Sequence, residues 1–155
     1  ETDTVTQKKK TLILTLDNYL DFFDKENIIP KFTPIFVDLN GHGIRSIEYD
    51  NVLDGIIIVA GPVPSTFDFE LFLYDGKETK SIIIEGFHET VLQKQLRPEG
   101  VTQVCVKKKK MLLFVTDDGD NEISKYLFVD YSDIVSFDMS KKSLECKDYF
   151  GLPKK

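Results

Sequence analysis

The sequence contains no tryptophan and only two cysteines, two methionines and two histidines among its 155 residues. Two cysteines cannot build the disulfide framework of a small secreted scaffold, and Cys105 and Cys146 lack the spacing of a zinc or redox motif. Cys105 stands in the alternating segment VTQVCV, which predicts a small buried hydrophobic residue. One disulfide with Cys146 is the alternative.

Long hydrophobic runs are also absent. No apolar stretch approaches the roughly 18 residues that a membrane-spanning helix needs, so we expect no membrane span. Acidic residues outnumber basic ones by 26 to 20, which gives a net charge of -6. Because a protein that wraps nucleic acid normally presents a basic face, we expect no nucleic-acid partner. The lysines at 107–110 predict a solvated hairpin tip instead.

Recognisable catalytic and targeting motifs are missing as well. The chain has no serine in a G-x-S-x-G elbow, no HExxH pair and no phosphate-binding P-loop. Residues 1–10 are polar, include three consecutive lysines and lack the apolar stretch of a secretory signal. Any such signal would already have been removed, so the compartment stays open, a periplasmic or secreted location included.

Strand-forming residues are abundant. Short runs rich in Ile, Val, Phe, Leu and Tyr recur between Gly, Asp and Asn residues, which is typical of an all-β fold. The predicted strands cover residues 11–16, 34–39, 44–49, 56–61, 69–74, 80–85, 101–106, 111–116, 125–130 and 134–138. Two helical turns are expected at 18–25 and 88–96, and Pro98 ends the second.

The chain also resembles itself at an offset of 56 residues. Residues 56–60 then align with 112–116, and at an offset of 57 Gly43 aligns with Gly100. A four-stranded antiparallel unit repeated in tandem is typical of β-propeller blades. We therefore divide one β domain, residues 1–155, into a partial unit, two full units and a tail, which cover residues 1–42, 43–98, 99–142 and 143–155.

About two and a half blades cannot close a ring, because propellers usually have about four to eight. Two interpretations of the fold therefore stay open. The units are blades of a larger propeller-like protein, or two meandering sheets are collapsed as a sandwich. Blade faces without cover have to pack on each other or on a second chain, so we expect either the sandwich-like collapse or a homo-oligomer through those faces.

Four short motifs in order resemble those of an uncharacterised bacterial domain-of-unknown-function family. They are Gly-Ile-Arg at 43–45, Ala-Gly-Pro at 60–62, Glu-Gly at 99–100 and Asp-Asp-Gly at 117–119. Members of this family resemble the phytase-like and esterase-like bacterial propellers. The resemblance covers about residues 35–130 and implies that this chain is the C-terminal part of such a protein.

Candidate ligand-binding residues gather near the starts of the two full units. Arg45 and Arg97 are the only arginines, and His42 and Glu99 lie near the same junctions. In a propeller these positions border the central channel, so the four side chains are expected to bind a small anionic ligand, with the arginines as bidentate donors. The alternative is structural, each arginine tying adjacent units together through a carboxylate such as Glu99 or Asp38.

An acidic segment offers candidate metal ligands. Residues 117–122 hold four carboxylates, from Asp117, Asp118, Asp120 and Glu122, and oxygen ligands at this density suit calcium. The spacing is not that of an EF-hand, and an ordinary hairpin turn is the alternative.

Two functions therefore stay open. The first is an interaction or ligand-binding module that takes an unknown small anionic ligand or a protein partner. The second is a calcium-dependent, phytase-like phosphoesterase, in which Glu99 and the acidic segment hold the metal while the two arginines neutralise the phosphoryl group.

Overall fold

The computed structural model describes residues 10–62, 68–117 and 123–146. These residues divide into two compact units with the boundary between Gly41 and His42. Strands dominate, in three antiparallel sheets of two, four and three strands, which confirms the all-β fold class. No helix in this part of the chain is long and apolar enough to cross a membrane.

The first unit is a β-hairpin with a helical turn in its connection. β1 (Thr11–Leu16) pairs with β2 (Phe32–Val37), and α1 (Tyr19–Asp24) lies between them. Asn18 closes this connection, because its Nδ2 donates to the Ile29 carbonyl at 3.0 Å and its Oδ1 accepts from the Lys31 amide at 2.8 Å.

The second unit contains two meandering sheets, each with its strands in chain order. The four-stranded sheet consists of β3 (Gly43–Asp50), β4 (Gly55–Gly61), β5 (Glu70–Tyr74) and β6 (Thr79–Ile82). The helix α2 (Phe87–Gln93) leads to the three-stranded sheet of β7 (Pro98–Val106), β8 (Lys109–Thr116) and β9 (Tyr126–Asp130). Two 3-10 turns follow, at Tyr131–Asp133 and Met139–Lys141.

These two sheets share one hydrophobic core. Alternate residues of a strand face the same side, and β4 contributes Ile57 and Val59 while β8 contributes Leu112 and Phe114. The ring of Phe87 in α2 lies 5.0 Å from that of Phe114 and covers one end of the core. The second unit is therefore sandwich-like, in agreement with the collapsed alternative.

The strand predicted at 134–138 is wrong. Ile134 makes a single antiparallel bridge with Ile84, which follows β6, and the Val135 amide donates to the Ile83 carbonyl at 2.9 Å. The last unit therefore has three strands instead of four, and its continuation pairs with the other sheet. The apolar residues of this segment indicated an extended chain, but they carry no information about which strand it joins.

The prediction of a buried Cys105 is also wrong. Cys105 is exposed near the end of β7 and forms a disulfide with Cys146. The segment that carries Cys146 lies along the start of β8, where the Cys146 amide donates to the Lys108 carbonyl at 3.0 Å. The alternation of apolar and polar residues continues to the end of β7, although the core no longer covers the strand at Cys105. The alternation alone therefore could not predict that Cys105 is exposed.

The hairpin tip predicted at 107–110 is confirmed. Lys107 and Lys108 form the exposed two-residue connection between β7 and β8, and both have positive φ, 49° and 67°. The next lysine, Lys109, pairs with Asp130 of β9. Lys107 and Lys108 therefore form the turn, and Lys109 contributes an ion pair within the sheet.

Candidate functional site

Each sheet of the second unit starts with a strand that carries a β-bulge. The register shift in β3 leaves Arg45 without an opposing residue on β4, and the shift in β7 leaves Glu99 without one on β8. A bulge re-aims the side chain of the extra residue. The matching bulges align Arg45 with Glu99, whereas the sequence comparison aligned Gly43 with Gly100.

The two re-aimed side chains contact each other across the sheets. Arg45 Nη1 lies 3.4 Å from Glu99 Oε1, and Arg45 Nη2 donates to the Pro62 carbonyl at 2.8 Å. Gly61 makes room for this arrangement, since a Cβ there would lie 2.9 Å from Arg45 Nε and 2.7 Å from Phe69 Cε1. Arg45 therefore ties the first strands of the two sheets together, which is the structural role that the sequence offered as an alternative.

The other predicted ligand-binding residues, His42 and Arg97, make contacts elsewhere in the described structure. His42 precedes β3, and its Nε2 lies 3.8 Å from Asp68 Oδ2. Arg97 is exposed just before β7, and its carbonyl accepts a hydrogen bond of 3.1 Å from the Asp117 amide. The described contacts thus join Arg45 to Glu99, and Arg97 to the first residue of the acidic segment.

Most of the predicted calcium ligands fall outside the described residues. Asp117 is described and exposed, whereas Asp118, Asp120 and Glu122 lie in the undescribed stretch 118–122. Across residues 10–62, 68–117 and 123–146, no group of three or more His, Cys, Asp or Glu side chains is placed to hold a metal ion. The calcium site therefore stays a prediction.

Side-chain hydrogen bonds continue the contact between β3 and β7. The Val101 amide donates to Ser46 Oγ at 3.3 Å, and Thr102 Oγ1 donates to Glu48 Oε1 at 3.1 Å. Successive contacts advance toward the C-terminal end of both strands, so β3 and β7 lie side by side and run in the same direction. The two sheets are therefore joined by polar side chains along their first strands.

A buried polar cluster at the end of this row was missed by sequence reasoning. Asp50 is 1% exposed, and its Oδ1 accepts from the amides of Val52 and Leu53 at 2.9 and 2.7 Å. Its Oδ2 accepts from the hydroxyl of the fully buried Tyr131, and Gln103 Nε2 donates to the same hydroxyl at 3.0 Å. The cluster links β3, β7 and the first 3-10 turn.

The electrostatics of this cluster follow from burial. Burial and the hydrogen bond to the Asp50 carboxylate raise the pKa of Tyr131 far above its usual range, so the phenol remains a donor. The one sequence signal for the cluster is the acidic residue Asp50 directly after the predicted strand 44–49, a position where Asp commonly forms turns. Because Asp50 and Tyr131 are buried away from solvent, we interpret the cluster as structural.

A cleft of about 310 Å³ opens where β6 ends. Leu71, Ile82 and Phe87 form its apolar floor, and Ser81 and His88 lie at its rim. The polar groups that line it are the Ser81 hydroxyl, the His88 imidazole and the Glu70 carboxylate.

The three-stranded sheet exposes apolar side chains on the face opposite the core. We call Leu113, Val115, Tyr126 and Phe128 the outer strip; in the register, Leu113 lies opposite Phe128 and Val115 opposite Tyr126. Val115, Tyr126 and Phe128 are 46%, 67% and 42% exposed. The rings of Tyr126 and Phe128 meet edge to face with 5.4 Å between centroids. The outer strip is uncharged.

The chain matches no protein-family model, no curated protein and no solved structure. The resemblance to the uncharacterised bacterial family therefore stays a prediction, and the geometry of the chain's own residues must carry the functional argument.

Proposed function

We propose that this protein is a non-enzymatic interaction module that binds a partner protein through the outer strip. The observation that carries the proposal is the exposure of Val115, Tyr126 and Phe128 on adjacent strands of a sheet whose other face already has a core. Aromatic side chains in an uncharged patch supply much of the binding energy at protein interfaces. The partner surface should accordingly be apolar.

The outer strip can be tested because its side chains are not needed for the core. We expect the double variant Tyr126→Ser and Phe128→Ser to lower the free energy of unfolding by no more than about 1–2 kcal/mol, because it removes only cross-strand contacts between exposed side chains. Affinity for a partner that has been captured, identified and purified should fall at least roughly tenfold by calorimetry. Leu92→Gln, an exposed apolar residue of α2, is the matched control.

Two results would count against the outer strip. A loss of more than about 2 kcal/mol of stability in the double variant would make it a folding surface. Equal partner affinities of wild type, double variant and Leu92→Gln would move the interface elsewhere.

We propose further that the module is part of a larger, propeller-like protein. The parallel course of β3 and β7 supports this, because the first strands of successive propeller blades run side by side in one direction. The disulfide supports a location in an oxidising compartment, since disulfides persist there.

A small anionic ligand at His42, Arg45, Arg97 and Glu99 is the second form of the binding proposal. Arg45 already contacts the Glu99 carboxylate, so an anion would have to replace it. Glu99→Gln should therefore increase anion affinity, measured by calorimetry with inorganic phosphate. Unchanged heats in wild type and variant would remove Arg45 from the binding proposal.

Calcium-dependent phosphoester hydrolysis is the alternative function. The main-chain hydrogen bond between Asp117 and Arg97 supports it, because it places the backbone of an arginine beside the start of the acidic segment. Calorimetric titration of calcium into chelator-stripped protein tests it, with Asp118→Asn as the control. Saturable binding that the variant loses, together with hydrolysis of a model phosphoester that Arg45→Ala abolishes, would replace the non-enzymatic proposal.

A further inference from the structure

The first unit has very little core of its own. In residues 10–41, Val37 and Leu39 are the only buried hydrophobic side chains. A two-stranded hairpin in water is marginally stable at best, whereas three or more strands with a hydrophobic face are stable. The hairpin of β1 and β2 therefore gains from any strand that extends it.

One face of this hairpin is apolar. The cross-strand pairs Leu12 with Phe36, Leu14 with Pro34 and Leu16 with Phe32 place their side chains on the same side. Leu12, Leu14, Phe32 and Phe36 are 48%, 56%, 54% and 62% exposed. The register is continuous over six pairs, without a bulge.

The two edges of the hairpin differ in their capacity to accept a further strand. Antiparallel pairs alternate between hydrogen-bonded and non-hydrogen-bonded positions, and Pro34 has no N–H to give to β1. The pair of Leu14 and Pro34 therefore suits a non-hydrogen-bonded position, where backbone groups point away from the partner strand. At the outer edge of β2, Pro34 then offers no N–H to a further strand. By the same alternation Leu12, Leu14 and Leu16 direct their N–H and C=O groups to the outer edge of β1.

The sequence of β1 contains none of the residues that protect edge strands. Its sequence, TLILTL, contains no charge and no proline, and the described sheet gives β1 one neighbour, β2. A strand with a row of outward-directed backbone groups and no guarding residue is a template for strand addition.

We propose that this edge binds β1 of a second copy of the chain, antiparallel and about a two-fold axis at Leu14. Leu14 then faces the partner's Leu14, and Leu12 faces the partner's Leu16, so that every outward-directed pair exchanges both of its backbone hydrogen bonds. The product is a four-stranded sheet with one continuous apolar face.

Charge and symmetry select a second copy over an unrelated strand. In this register Lys10 faces the partner's Asn18 and Asp17 faces the partner's Thr11, so no like charges are opposed. The same leucine row occurs on both sides, which makes the edge self-complementary. This interface is separate from the outer strip and does not depend on the proposed function.

The test is the concentration dependence of the mass of the full chain, measured by sedimentation equilibrium. We expect wild type to form a dimer, and Leu14→Lys to weaken dimerisation at least roughly tenfold by opposing two charges at the axis. Phe36→Lys introduces the same charge on the apolar face of β2, away from the edge, and should still dimerise. A mixture of Leu14→Lys with Leu14→Glu should form a heterodimer.

Several outcomes would overturn the inference. Equal dimerisation of wild type and Leu14→Lys, or loss of the dimer in Phe36→Lys alone, would exclude the β1 edge. A wild type that stays monomeric up to millimolar concentration would exclude a second copy as the partner. In that case, slow amide exchange in β1 would mean that the chain's own residues cover the edge. Fast amide exchange would mean that the edge is open to a strand of another protein. Circular dichroism of each variant separates these outcomes from unfolding.

Discussion

Asp50 shows how one residue can organise the contact between two sheets. Its two carboxylate oxygens bind different partners. Oδ1 accepts hydrogen bonds from two backbone amides of the turn after β3, and Oδ2 accepts one from the Tyr131 hydroxyl. A buried carboxylate without this set of donors would be costly, because burial removes its solvation by water. Removing one donor should therefore lower the stability of the fold, because the carboxylate stays buried with fewer hydrogen bonds.

Replacing Tyr131 by phenylalanine removes the hydroxyl and leaves the ring in place. We expect Tyr131→Phe to lower the free energy of unfolding by about 1–3 kcal/mol, because Asp50 Oδ2 then loses its closest donor while staying buried. Urea denaturation measures the change. Tyr126→Phe, which removes an exposed hydroxyl, is the matched control and should be neutral; equal effects would mean that the cluster contributes nothing specific.

The stability difference between wild type and this variant should depend on alkaline pH. The pKa of Tyr131 is raised in the folded state from its ordinary value of 10.0, so above pH 10 the folded chain binds a proton that the unfolded chain has lost. Stability from this group is complete below pH 10 and falls by about 1.4 kcal/mol per pH unit above it. The stability difference between wild type and Tyr131→Phe should therefore shrink between pH 10 and 11. A constant difference would contradict the raised pKa.

Gly61 is a residue whose lack of a side chain matters. A methyl group there would clash with Phe69 and with the Arg45 guanidinium, so Gly61→Ala should cost about 1–3 kcal/mol of stability. Combining it with Arg45→Ala removes half of the clash, and the cost of Gly61→Ala should be smaller in that background. Thermal or urea unfolding of the four proteins gives the cycle; strictly additive costs would show that Arg45 does not pack on Gly61.

At the scale of elements, most strands and their pairing with the next strand in the chain were predictable, but the pairing of residues 134–138 was not. β1 and the strands of the four-stranded sheet, β3 to β6, are rich in β-branched and aromatic residues and lie between turn residues. Local residue preference is therefore enough to predict them. Residues 134–138 have the same local character, but they pair with the chain after β6 across the sandwich. A pairing at such sequence distance has no local signature.

The candidate site divides in the same way. Scarcity singled out Arg45, and proximity to a unit boundary singled out Glu99, which the structure brings into contact. The cluster of Asp50, Gln103 and Tyr131 was not found, because its members are ordinary residues in three distant segments and only folding brings them together. Motif spacing detects a site within one segment, not one assembled from several.

The disulfide links β7 to the segment that follows the last 3-10 turn. Cys105 and Cys146 are 41 residues apart, and closing a loop of that length restricts the unfolded chain enough to contribute about 4 kcal/mol in the chain-entropy model. Cys105→Ser with Cys146→Ser should lower the free energy of unfolding by about 2–4 kcal/mol. A reducing agent should destabilise wild type equally and leave the double variant unchanged; a wild type insensitive to reduction would argue against the bond.

At the scale of the whole molecule, hydrophobic burial is distributed very unevenly between the two units. Among the described residues, the second unit has a shared core of seventeen buried side chains, whereas residues 10–41 bury only Val37 and Leu39. Free energies of local opening follow buried apolar contact, so the first unit should open without unfolding the second.

Hydrogen exchange can measure this difference directly. In samples dilute enough to prevent self-association, we expect the amides of β4 and β8 to exchange at least roughly a hundredfold more slowly than those of β1 and β2, because only the former lie over the core. Repeating the measurement at high concentration provides the control, since protection that rises in the hairpin, most of all at the outward-directed amides of β1, while β4 and β8 stay unchanged, reports pairing along the β1 edge. Uniform slow exchange in dilute samples would instead show that both units unfold together as one cooperative structure.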